Sequence, residues 1–241
     1  MIVPPLAGGV PPEALELYGD AFTFLAAGVG VGAFRRQNYL DALARVPAAV
    51  DQLVAGGATA IGVMGTSLTF ALGRAYDDRL QAELRERTGL PVTTMASTIV
   101  DALHGFGARR VAVAAAYDAT VTAELCTFLE EHRFDVAGSA SLGIVDGREL
   151  AALTTDDIVA LARRAVPDPR DVDALVISCG GLRTIAATRV LEAELLLPVV
   201  SSAIAGPWGA VRLLGHSGAA IGGGILTGSP ALVPHAGVPL A

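Results

Sequence analysis

The sequence predicts an α/β fold made of two pseudo-symmetric lobes, each a mostly parallel sheet flanked by helices. Three observations predict it. Short apolar runs alternate with helix-like stretches, the pattern of strand–helix–strand units. One motif occurs twice, as Leu90-Pro91-Val92-Thr93-Thr94 and as Leu197-Pro198-Val199-Val200-Ser201-Ser202, each copy following a helix and leading into another. Apolar residues fill 52% of the 241 positions, enough for a substantial core.

In chain order, strands are expected at residues 2–4, 60–64, 92–94, 110–115, 174–178 and 199–201. A helix rich in Glu and Arg is expected over 77–87, stopped by Gly89. A second starts at Asp118 as N-cap and buries Val121, Leu125, Phe128 and Leu129. A third starts near Thr155 and buries Ile158, Leu161 and Ala162. The runs 2–5 and 111–117 read as the opening strands of the two halves. The lobes are expected to divide as residues 1–95 plus 206–241 and residues 96–205, with a cleft between them. Residues 213–241 carry no Asp, Glu, Lys or Arg. Gly222-Gly223-Gly224 reads as a turn, and the residues after Pro230 as disordered.

Composition narrows the function. A formal charge of −7, dispersed along the chain, argues against nucleic acid and anionic membranes as partners. Cys126 and Cys179 cannot make a disulfide framework, which points to a reducing, cytoplasmic setting. The start of the chain, Met1-Ile2-Val3-Pro4-Pro5, lacks the basic region and long apolar run of a signal peptide. Mean hydropathy is +0.54, and residues 54–73 are uncharged. That stretch is broken by glycines and by Thr59, Thr66, Ser67 and Thr69, so it reads as a buried strand and loop, not a membrane span.

Ligands in parallel sheets sit beyond the carboxyl ends of strands. Those ends carry Pro4 and Pro5, Gly65-Thr66-Ser67, Tyr117 and Cys179-Gly180-Gly181. Cys179 is either a small packing residue or a thiol facing the cleft. Thr66 and Ser67 are either helix caps or hydroxyl donors, and Tyr117 either plugs a core edge or reaches the cleft. Cys126 reads as packing. Gly28-Val29-Gly30-Val31-Gly32 lacks the later glycine and acidic residue of a dinucleotide loop and reads as a mobile loop beside the cleft. His104, His132, His216 and His235 have no ligand spacing, so no metal and no cofactor is expected.

In order and combination these motifs resemble the aspartate/glutamate racemase superfamily, and within it the arylmalonate decarboxylases. The likeness rests on residues 2–8, Met64-Gly65-Thr66-Ser67-Leu68, Leu90-Pro91-Val92-Thr93-Thr94-Met95, Arg109-Arg110-Val111-Ala112, Ala116-Tyr117, Ser141-Leu142-Gly143-Ile144, Ser178-Cys179-Gly180-Gly181-Leu182 and Pro198-Val199-Val200-Ser201-Ser202, and runs to about residue 214. Racemases of the superfamily resemble a design with a cysteine on each side of the substrate. The decarboxylases keep only the second, and Gly65 with Cys179 follows that pattern.

The resemblance implies cofactor-independent decarboxylation of a small dicarboxylate, an α-aryl malonate, to a chiral acid. Thr66, Ser67, Tyr117 and Gly180 would hold one carboxylate, with Gly65 the blank position. Pro4, Pro5, Val31, Phe34, Tyr39, Gly147 and Leu150 would shape the rest of the pocket. Cys179 would protonate an enediolate on one face. The rival readings are a maleate isomerase or amino-acid racemase, which Gly65 argues against, and a small-carboxylate binding protein without turnover. A monomer or small homo-oligomer is expected.

Overall fold

The computed structural model describes residues 1–228, so the disorder expected after Pro230 lies outside the described residues. The first half runs β1 (Ile2–Val3), α1 (Pro12–Tyr18), β2 (Ala27–Gly28), α2 (Arg36–Leu43), α3 (Val46–Ala55), β3 (Ile61–Val63), α4 (Thr66–Phe70), α5 (Arg74–Thr88), β4 (Val92–Thr94) and α6 (Met95–Gly105). The second runs β5 (Arg110–Tyr117), α7 (Ala119–Glu131), β6 (Asp135–Ile144), α8 (Thr155–Ala165), β7 (Ala174–Ser178), α9 (Ile185–Leu195), β8 (Val199–Ser201), α10 (Ser202–Arg212) and the short α11 (Ile225–Gly228).

The strands form two four-stranded sheets of the same order, β2-β1-β3-β4 and β6-β5-β7-β8. Every strand pairing among the described residues is parallel. The matching order places β1 with β5, β3 with β7 and β4 with β8, which carries the repeated Leu-Pro motif to equivalent places.

Composition explains the strands. β5 is buried from Val111 to Tyr117, and its four alanines let α7 and α8 pack closely against it. Gly89 stops α5 in the left-handed conformation at φ 67°. The Asp118 side chain accepts the Val121 N–H at 3.0 Å and starts α7. Thr154, one residue before the expected start, caps α8 in a reciprocal box with Asp157.

Two strands lie outside those expected. β6 is a half-exposed edge strand whose Gly138, Ser139 and Ser141 dilute any apolar run. β2 ends on Gly28, the first residue of the glycine-rich stretch expected to be a mobile loop. That stretch is pinned: the Val29 N–H donates to Val3 O (3.0 Å) and the Val31 N–H to Pro4 O (2.8 Å). The expected lobe boundaries at 95/96 and 205/206 fall inside α6 and α10, which pack on each other. Among the described residues no helix is long and apolar enough to cross a membrane.

Candidate active site

Cys179 follows β7 directly and is 6% exposed. Its turn closes with the Leu182 N–H donating to Cys179 O at 3.2 Å. Burial pushes the thiol above its ordinary value, only partly offset by the Gly181 N–H and the Tyr117 hydroxyl beside the sulfur. Tyr117 ends β5 and is fully buried. Burial first, then the neighbouring Cys179, pushes its phenol well above the usual range. Its ring packs edge-on against Phe34 (centroids 5.0 Å apart) and Phe70 (5.7 Å).

The Tyr117 hydroxyl also meets a short chain of buried serines. Ser178 Oγ donates to Tyr117 Oη at 3.5 Å, and Ser202 Oγ donates to Ser178 Oγ at 3.3 Å. Tyr39, on α2, is fully buried. Its hydroxyl lies near Ser67 and senses Cys179, yet has no hydrogen bond of good geometry among the described residues. An unpartnered buried hydroxyl is costly unless a ligand or water meets it.

From the first sheet come Gly65, Thr66 and Ser67, where β3 passes into α4. Thr66 and Ser67 are buried, and Thr66 Oγ1 donates to Met95 Sδ at 3.1 Å. Met95 opens α6 and reaches the second sheet: a Cβ on Gly180 would lie 2.5 Å from its sulfur and 3.6 Å from Met64 O. Glycine at 180 therefore lets the two strand ends approach. A Cβ on Gly65 would meet Leu68 Cδ1 at 2.6 Å and Pro4 Cγ at 3.0 Å, so these side chains fill the space in front of Gly65. α6 is held by its cap. Thr94 accepts the Ser97 N–H (3.0 Å), and Asp77 accepts from Thr94 Oγ1 (2.7 Å), Ser97 Oγ (2.5 Å) and Gln81 Nε2 (2.9 Å).

The apolar side is closed by a cross-lobe contact. The Phe34 N–H donates to Val145 O (2.8 Å), and Ala33 bridges Asp146. The Phe34 ring fills the space in front of Gly147, where a Cβ would lie 3.5 Å from Cζ. Leu150 Cδ1 would lie 2.8 Å from a Cβ on Gly181, next to the thiol. Arg35 pairs with Asp118 at the rim.

Cys179, Gly180, Tyr117, Tyr39, Ser67, Thr66, Phe34 and Leu150 thus converge. Pro4 packs at the blank Gly65 position. Pro5 is exposed, its carbonyl accepting the Gly8 N–H, and half-buried Val31 is tied by its backbone to Pro4 O, so neither is placed against the thiol. Sequence reasoning missed Asp77 and the serines 178 and 202, whose partners are remote in sequence. An apolar hollow lined by Met1, Phe24, Ala58, Ala210 and Leu214 lies at the amino end of the first sheet, away from these groups.

Comparison with known proteins bears on the family and the fold. The arylmalonate decarboxylase family pattern matches residues 1–227. The arylmalonate decarboxylase of Bordetella bronchiseptica is 41% identical over 215 residues, 89% of this chain and 89% of its own. A crystal structure of an arylmalonate decarboxylase double mutant (glycine to cysteine, cysteine to serine) in the liganded form superposes with a TM-score of 0.90 at 40% identity, covering 94% of this chain and 96% of that one. The maleate isomerase Iso from Pseudomonas putida S16 shares the fold, with a TM-score of 0.87 at 22% identity over 95% of this chain and 97% of its own. The chain belongs to the arylmalonate decarboxylase family.

Proposed function

We propose that this protein decarboxylates α-aryl malonates in the cleft between a lobe of residues 1–95 plus 206–241 and a lobe of residues 96–205. One observation carries the reading: a single buried thiol, Cys179, beside the Tyr117 hydroxyl, while the space at Gly65 is taken by Leu68 and Pro4.

The hydroxyls of Ser67 and Tyr117, the Gly180 N–H and the Thr66 hydroxyl, its proton turned from Met95 Sδ to the ligand, hold one carboxylate. The other is pressed toward Phe34 and Leu150, with Val31 behind, where no donor solvates it. The bond from the α-carbon to that carboxylate breaks and carbon dioxide leaves. The electron pair passes into the retained carboxylate as an enediolate. This species carries more charge than the bound substrate carboxylate, so the same donors bind it more strongly, which lowers the barrier. Cys179 Sγ–H then gives its proton to the α-carbon, and the thiolate regains one from water. Losing carbon dioxide makes the carbanion without a base, so one acid on one face suffices. Tyr39, with its free hydroxyl near Ser67, serves the donor side. A reducing, cytoplasmic setting keeps the thiol competent.

The test is carbon dioxide release from phenylmalonate. Cys179→Ala is expected to cut kcat about 10²- to 10⁴-fold while the protein stays folded. A fully active alanine variant would refute the assignment of Cys179 as the acid. A wild-type protein that binds phenylmalonate without releasing carbon dioxide would instead favour a carboxylate-binding role.

A further inference from the structure

Glu13 lies on α1, in the half of the chain opposite Cys179, and is 1% exposed. Its Oε1 accepts the backbone N–H of Thr184 at 3.1 Å. Arg183 Nε stands 3.3 Å from the same oxygen, and Arg183 Nη2 pairs with Glu16 Oε2 at 2.9 Å. Thr184 is the N-cap residue of α9 but makes no side-chain cap. Its hydroxyl instead pairs with Ser201 Oγ, at the end of β8, at 2.6 Å. The turn that begins at Cys179 is therefore fastened at its far end twice, once to β8 and once to a carboxylate from α1.

A carboxylate buried to 1% exposure, with its guanidinium partner Arg183 more than half exposed, is an expensive way to gain stability; an apolar side chain of similar volume often does as well. What a carboxylate adds is direction, because it accepts the Thr184 N–H and meets the Arg183 guanidinium at one point. Burial pushes the Glu13 carboxyl above its ordinary value, with Arg183 pulling the other way and Glu16 adding to the rise. The group thus sits where its charge is costly, held for its geometry.

We propose that Glu13 is a positioning residue that fixes the Cys179–Thr184 turn across the two halves of the molecule. Its effect on turnover rests on the decarboxylase reading above; its effect on the turn does not. Glu13 touches no reacting atom. It acts through Thr184 and Arg183 on the aim of the thiol and of the Gly180 and Gly181 amides.

The full-length wild type, Glu13→Ala, Glu13→Gln and Glu16→Gln are compared. Three quantities are read: kcat and KM for phenylmalonate, the rate of Cys179 alkylation by iodoacetamide followed by peptide mass, and amide exchange of the 179–184 segment. Glu13→Ala is expected to lower kcat about 10- to 100-fold with KM changed by less than about threefold, and to speed both alkylation and exchange. Glu13→Gln keeps an acceptor oxygen and is expected to restore kcat to within about fivefold of wild type. Glu16→Gln, altering only the exposed pair, is expected to change none of the three. Should Glu13→Ala fail to fold, Glu13→Met with Arg183→Met fills the volume, leaves the Thr184 N–H without its acceptor, and carries the same expectations. Wild-type alkylation and exchange in the alanine or methionine variant would overturn the proposal, as would glutamine behaving no better than alanine. If the wild type releases no carbon dioxide, the decarboxylase reading fails, and alkylation and exchange alone decide the role of Glu13.

Discussion

At the scale of single residues the proposed chemistry turns on a thiol kept neutral. Because burial raises the Cys179 thiol above its ordinary 9.0, the proton-donating form persists through neutral pH. In the proposed mechanism the neutral form is the active one, so kcat is expected to stay level across pH 6–8, about the physiological range, and to fall only as the thiol ionises above its ordinary value. A fall centred near neutrality in a kcat–pH profile would contradict this. Gly65, which the proposed mechanism sets across the substrate from the thiol, gives a second prediction. In Gly65→Cys the new Cβ displaces Leu68 and presses on Pro4, a strain worth about 1–3 kcal/mol in urea unfolding. With acids then on both faces, the same variant is expected to exchange the α-hydrogen of an arylpropionate in deuterated water. Exchange no faster than wild type, in a folded protein with a titratable second thiol, would contradict the one-face account.

Among elements, what the sequence reveals depends on how local the signal is. β3, β5, β7 and β8 are continuous buried apolar runs, and Gly89 and Asp118 mark helix ends through contacts within a few residues. β6 stayed hidden because an edge strand half open to solvent needs no apolar run, and β2 because it is two residues long and runs into a glycine-rich stretch. The site divides in the same way. Cys179, Gly65, Thr66, Ser67 and Tyr117 stand at strand ends that pattern alone locates. Glu13 and Asp77 look like ordinary exposed helix carboxylates in sequence; only folding brings Thr184 to one and Thr94 to the other. Asp77 supplies a prediction at this scale. It is 1% exposed and receives three side-chain donors at the start of α6. Asp77→Ala leaves those donors unmet and is expected to cost about 2–4 kcal/mol in urea unfolding, with a lower kcat because Met95 no longer steadies Thr66. A loss below about 1 kcal/mol would show that the cluster is not what holds α6.

For the whole molecule the decisive feature is that the two sheets share their helices. α10 packs on α6 and reaches β3 and β4 of one sheet and β7 and β8 of the other. Trp208, the only tryptophan in the chain, sits buried in that helix. Neither sheet can lose its cover without exposing the other, so Trp208 fluorescence and far-ultraviolet circular dichroism are expected to report one coincident urea transition. Two separated transitions would mean that the halves unfold independently. The filled space at Gly65 has a last consequence, for how the product ages beside its catalyst. With Leu68 and Pro4 filling the space at Gly65, the proposed mechanism leaves an acid on one side of the finished product alone. Long incubation should therefore leave its optical purity undiminished.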